Sequence, residues 1–273
     1  MADEKKLQDL NFLHATTVTS GFTDENYYEY HRELARFNDS HGFTNVEYRT
    51  FRSPFVESCR DSACEHALQQ NYDALMFVDA DMVGYPPHAM VALVEDAYVK
   101  IPASDAVGAY CNLKNDPYLP TIDTGTGTWE PHLPGAGLLE VIRTGGAFLL
   151  IKTTALRKFG PPWFRTKIAN KPFDALSGVD NYARCKLSGR NPFYHTPEWL
   201  SLKMAASEGG PGESGIGEDS GFCDRLRAAG GRIFVDTDIA VGHAGKEVID
   251  WRRMKEAFEK REKVARQACG VLS

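Results

Sequence analysis

Short apolar runs alternate with longer amphipathic stretches through the first half of the chain. Phe12 to Ser20 reads as a strand, Asp24 to Asn38 as a helix capped by Thr23 or Asp24, and Val46 to Phe51 as a second strand. Pro54 interrupts the chain. Val56 to Gln70 then has the pattern of a helix that leads through Asn71-Tyr72-Asp73 into the apolar run Leu75-Met76-Phe77-Val78. Beyond Tyr85-Pro86-Pro87, His88 to Val99 predicts a helix and Ala106 to Tyr110 a strand. Strands and helices in this order predict an α/β fold, a mixed and mostly parallel sheet flanked by helices, with ligands beyond the carboxyl ends of the strands.

The second half is less regular. Asn115 to Pro134, rich in Pro, Gly, Thr and Asp, reads as a loop or a hairpin, and Leu138 to Arg143 and Gly146 to Ile151 are apolar runs. The glycines of Thr144-Gly145-Gly146 either let backbone approach a ligand closely or form a turn or bulge. From Pro161 to Gly217 no clear period emerges, and the glycine-dense Glu208 to Gly217 is the candidate for a loop that closes over a site. Residues 218 to 229 predict a helix stopped at Gly230-Gly231, followed by strand at Ile233 to Val235 and Ile239 to Val241, then Gly242-His243. Trp251 to Gln267 reads as a charged helix.

Composition narrows the function classes. The 273 residues are 42% apolar and 25% charged, ordinary for a globular protein, and contain no apolar stretch of the ~18 residues that a membrane span needs. Met1 to Gln8 is charged, which predicts no secretory signal and a cytoplasmic location. Six scattered cysteines without a Cys-x-x-Cys pair argue against a zinc or redox motif. A net charge of −6 disfavours broad attraction to nucleic acid or anionic membrane. Locally, Lys246 to Arg266 carries eight Lys/Arg against five Asp/Glu, a pattern that fits a solvated helix face or an acceptor-binding patch.

The chemistry starts where the apolar run ends in Asp79-Ala80-Asp81. Alternation along an extended strand places positions 79 and 81 on one side. Two carboxylates held together repel unless a cation, a proton or a sugar hydroxyl lies between them, and Mg²⁺ or Mn²⁺ favours such oxygen ligands together with substrate phosphates. Glu218-Asp219 opens a predicted helix, where acidic residues also serve as caps and meet the helix dipole. His243 ends a predicted strand, as a ligand or as a loop residue.

In order along the chain stand Arg60-Asp61, Asp79-Ala80-Asp81-Met82, Thr144-Gly145-Gly146-Ala147-Phe148-Leu149-Leu150-Ile151, Gly217-Glu218-Asp219-x-x-Phe222-Cys223-x-Arg225, Val235-Asp236 and Gly242-His243. This order resembles the GT-A class of nucleotide-sugar glycosyltransferases, in particular the family 2-type enzymes with their Asp-x-Asp motif, over about residues 12 to 245. The first-strand Pro-Thr often seen there is replaced by Thr16-Thr17. The resemblance implies a Rossmann-like GT-A domain over 1–245, with its nucleotide-binding part at about 12–110 and its acceptor and catalytic part at about 111–245, and a helical extension over 246–273. It implies that Asp81 ligates Mn²⁺ or Mg²⁺, that Asp79 binds the donor ribose or the metal shell, and that His243 completes the metal site. Arg60 matches the arginine facing the nucleotide, and Thr17 and Thr19 lie where the first strand meets base or ribose. Asp219 matches the catalytic base of inverting members, with Glu218 beside it, and Gly145 and Gly146 match the small residues that admit sugar or acceptor. A UDP-sugar is the implied donor.

The acceptor stays open among a glycan, a lipid, a protein and a modified nucleobase. Trp163, Phe164, Phe173, Tyr194 and Trp199 are candidates to stack on it or to pack internally. Other readings remain: a retaining transferase of the same fold, a haloacid-dehalogenase-type phosphatase with Asp79 as nucleophile, or a sugar- or nucleotide-binding module without turnover. The phosphatase signature normally lies near the first strand, and the glycine-rich loop of a nucleotidyltransferase is absent around Val18 to Asp24.

Overall fold

The computed structural model describes residues 6–19, 25–53, 55–113, 119–126, 129–130, 132–164, 217–244, 250, 252–253, 255–256 and 259–260. Strands β1 (Phe12–Val18), β2 (Val46–Arg52) and β3 (Ala74–Asp79) alternate with helices α1 (Glu25–Ser40) and α2 (Val56–Gln69). After β4 (Met82–Val83) come α3 (Ala89–Glu95) and β5 (Ala106–Cys111). The chain continues through β6 (Ile122–Asp123), β7 (Leu138–Val141), β8 (Arg143–Thr144), β9 (Phe148–Lys152), α4 (Thr153–Lys158), α5 (Glu218–Ala228) and β10 (Ile233–His243).

The main sheet has the order β2-β1-β3-β9-β5-β10-β4, with β7 also paired to β10, and its β1, β2, β3, β5 and β10 run the same way. Alternation along the strands feeds two apolar layers. Phe12, Met76 and Val78 face Leu34 of α1 and Met90 and Val94 of α3. Leu13, Ala15, Leu75 and Phe77 face Ala63, Cys64 and Ala67 of α2, Leu156 of α4, and Phe222 and Leu226 of α5. This is the expected α/β architecture, a mixed and mostly parallel sheet between helices, and it is consistent with a Rossmann-like GT-A fold.

Several boundaries differ from the sequence pattern. The helix expected over His88 to Val99 is α only to Glu95 and widens to a π turn over Asp96–Lys100. The run Leu138 to Arg143 splits, because β7 pairs with β10 whereas β8 pairs with β6, and β6 lies inside the expected 115–134 loop. The two strands expected near 233 and 239 are one strand whose register against β5 slips between Asp236 and Ala240. Polar bonding holds the slipped segment in place: the Thr237 hydroxyl donates to Gly137 at 2.8 Å, and the Asp238 N–H donates to the Asp236 carboxylate at 2.9 Å. The expected closing loop falls outside the described residues apart from Gly217, and of the expected 251–267 helix, residues 252–253, 255–256 and 259–260 are helical. No helix among the described residues is long and apolar enough to cross a membrane.

Candidate functional site

Period-two alternation puts Asp79 on the same face of β3 as Leu75 and Phe77, the face covered by α2. Thr17 of β1 is its register partner. The Thr17 hydroxyl donates to Asp79 Oδ1, and Arg60 Nη2 of α2 donates to Oδ2 at 3.0 Å. Burial raises the Asp79 pKa, opposed by Arg60 and Thr17 and reinforced by the charges of Asp81 and Glu218.

Strand alternation does not relate Asp79 to Asp81, as the sequence suggested, because β3 ends at Asp79 and Ala80-Asp81 forms a turn. The Asp81 carbonyl accepts the Ala244 N–H at 2.7 Å, and Met82 of β4 pairs with His243 of β10. The end of β10 is thereby brought beside the carboxylates, and Asp81 and His243 line one cleft.

Across that cleft α5 begins. Its N-cap position is Gly217, which has no side chain to accept a bond from the first helix N–H groups, and the carboxylates of Glu218 and Asp219 in its first turn meet Arg60 Nη1, Glu218 at 3.0 Å. The positive end of the helix dipole and the guanidinium both attract these two side chains. Arg60 is only 2% exposed, and its cation lies 5.9 Å from the Phe77 ring centroid and 5.4 Å from that of Phe164.

The two glycines have separate jobs. A Cβ on Gly146 would lie 2.6 Å from Asp219 Oδ1 and 2.9 Å from Arg60 Cζ, so the bare backbone there makes room for the protein's own ion pair. Gly145 lines the cleft, and a Cβ there would come within 3.0 Å of the Thr121 hydroxyl.

The cleft measures about 420 Å³ and brings together Thr17, Thr19, Arg60, Asp79, Asp81, Gly145, Glu218, Asp219 and His243, from segments far apart in the chain. Of the sequence candidates, Gly146 is set behind the lining. Cys111, Leu113 and Thr121 also line the wall without having stood out in the sequence; Cys111 ends β5 and Leu113 follows it, which is where ligands of such sheets gather, whereas Thr121, just before β6, carried no such signal. Trp163 and Phe164 are buried packing residues, not exposed stacking platforms: the Trp163 indole donates to the Leu156 carbonyl at 2.9 Å, and Phe164 stacks on Phe222. Phe173, Tyr194 and Trp199 lie outside the described residues. Among the described residues no three His, Cys, Asp or Glu side chains converge as a metal cage.

No family model matches the chain, and no curated protein matches it. Among solved structures, the chain is similar to A197 from STIV, with a TM-score of 0.54 at 18% identity over 89% of this chain and 92% of that one. A weaker likeness, TM-score 0.31 at 13% identity over 66% of this chain and 79% of the other, is to a glycosyltransferase involved in the glycosylation of the major capsid of PBCV-1. At these identities the A197 likeness speaks to the fold alone.

Proposed function

We propose that this protein is a metal-dependent glycosyltransferase that moves a sugar from a nucleotide-sugar donor, a UDP-sugar in preference, to an acceptor hydroxyl with inversion. The observation that carries this reading is the meeting, in one cleft, of the acidic end of the central strand with the acidic start of α5. Four carboxylates, Asp79, Asp81, Glu218 and Asp219, face a single guanidinium, Arg60, among the described lining residues. Such an excess of negative charge favours a bound cation.

A divalent ion fits these residues. Mg²⁺ is held by one or two protein carboxylates plus donor phosphates, so Asp81 with His243 suffices and a three-residue cage is not required. Both oxygens of Asp79 already accept, from Thr17 and from Arg60. When bound, the ion neutralises charge on the departing diphosphate.

The acceptor hydroxyl oxygen attacks the anomeric carbon as the bond to the diphosphate oxygen breaks, and the hydroxyl proton passes to Asp219. Arg60 engages Oδ1 of Asp219, which assigns the proton to Oδ2. A phosphatase reading would make Asp79 the nucleophile, and its engaged oxygens count against that. The test is calorimetric titration of nucleoside diphosphates and nucleotide-sugars, with and without Mn²⁺, on wild type and Asp81→Ala. Metal-dependent binding lost in the variant supports the reading, and no binding by any nucleotide overturns it.

A further inference from the structure

Next to Arg60 on α2 stands a second buried titratable residue that the proposed reaction does not use. Asp61 is 3% exposed, and its Oδ1 accepts the backbone N–H groups of both Trp163 and Phe164 at 2.8 Å, bridging more than a hundred residues of chain. Oδ2 has no hydrogen-bond partner among the described residues.

These two bonds fix Phe164. Its ring stacks on Phe222 with centroids 4.6 Å apart and planes 5° from parallel, and it meets Phe77 edge-on at 5.3 Å. Phe222 is one helical turn after Glu218, so the stack sets where the first turn of α5 lies. The other neighbour of Phe164 is the Arg60 guanidinium. Arg60 Nε has no hydrogen-bond partner among the described residues, and the rings of Phe77 and Phe164, together with the carboxylates at the far end, orient the guanidinium.

We infer that Asp61 is a positioning residue: by holding the Trp163-Phe164 backbone it sets the Phe164 ring, and through that ring both the Arg60 guanidinium and the α5 turn that carries Glu218 and Asp219. The inference deepens the transferase reading and rests on it only for its catalytic consequence. A carboxyl group suits the task because one oxygen with two lone pairs accepts two adjacent N–H groups. Burial pushes the Asp61 pKa up to about 8, so near neutral pH the group is largely the uncharged acid, which still accepts at Oδ1. An asparagine reproduces that state, with its carbonyl oxygen in place of Oδ1.

The experiment compares full-length wild type with Asp61→Ala, Asp61→Asn and Phe164→Leu, recording the ¹⁵N side-chain signals of Arg60 by NMR and donor hydrolysis with Mn²⁺ and a UDP-sugar. Expected in Asp61→Ala and Phe164→Leu are averaged Arg60 Nη signals and a kcat lowered about tenfold to a hundredfold with KM little changed. Asp61→Asn restores both. Arg60 signals unchanged from wild type in folded Asp61→Ala and Phe164→Leu overturn the inference. Should Asp61→Ala not fold, Phe164→Leu and Asp61→Asn decide on the same signals. Absence of donor binding and turnover in wild type sinks the transferase reading, while the Arg60 signals still decide the role of Asp61.

Discussion

Arg60 and Glu218, separated by 158 positions, meet through Arg60 Nη1 and Glu218 Oε1 at 3.0 Å, and this contact joins the early strand-helix half of the chain to the helix that opens after residue 217. The same nitrogen reaches Asp219, and the other terminal nitrogen reaches Asp79. One buried cation therefore organises three carboxylates from two distant segments.

Removing that cation is expected to be costly, because Asp79, Glu218 and Asp219 would face one another without compensation. Arg60→Met should lose about 3–5 kcal/mol of stability, the range for breaking a buried ion pair, reduced to the extent that Glu218 and Asp219 are reached by water. Arg60→Lys, which keeps the charge and loses the fork, should lose less. Urea unfolding of the two variants beside wild type measures both.

Gly146→Ala tests the close approach directly. The added methyl would stand inside contact distance of Asp219 and Arg60, forcing one to move. We expect donor hydrolysis to fall by about a hundredfold, the scale of a misplaced catalytic group, with nucleotide binding by calorimetry nearly unchanged. Equal losses in binding and turnover would show that the pair is not specific to chemistry.

Asp219→Asn keeps the shape of the side chain and removes its capacity to take a proton. Transfer to the acceptor should fall by about 10²- to 10⁴-fold, while Mn²⁺-dependent nucleotide binding stays at the wild-type level. Full activity of this variant would remove Asp219 as the base.

Asp61 makes stability depend on pH in a definite direction. Its pKa of about 8 in the folded protein exceeds the ordinary 3.8, so the folded state holds the extra proton between those values. Its contribution is therefore complete at low pH and is lost as pH rises through about 8. Melting temperature should fall more steeply between about pH 5 and 8 in wild type than in Asp61→Asn, and level off above about 8, as differential scanning calorimetry would record.

His14 gives the opposite slope. Both its ring nitrogens are buried without a hydrogen-bond partner among the described residues, and it packs against His31 at 4.7 Å and Tyr48 at 5.1 Å between ring centroids. Burial foremost, and then the charge of His31, lowers its pKa well below 6.5, so below that pH the unfolded chain takes up a proton that the folded one refuses. Stability falls as pH drops from 6.5. His14→Phe should flatten this decline in thermal unfolding between pH 7 and 5.

Much of the architecture is local and was legible in the residues. The run Leu75 to Val78, the helix pattern after Pro54 and the break at Gly230-Gly231 specify their elements because burial and backbone freedom act over a few residues. Asp79, Asp81, Glu218, Asp219 and His243, which line one cleft, were legible only as types in an order; distance is not written in the chain. That Asp79 faces Arg60 follows from strand alternation once α2 is known to cover that face. That Asp81 stands beside His243 depends on an antiparallel pairing of Met82 with a residue more than 150 positions away. Tertiary packing also decided what the residue types left open: a Cβ on Gly146 would meet the Asp219–Arg60 pair, and of the two readings of Phe164 it is internal packing, against Arg60 and Phe222, that holds. The sequence by itself determined which segments bury apolar surface and which chemistry is present. Only the fold decided which charges share a low-dielectric space, because that depends on contacts between segments that nothing local brings together.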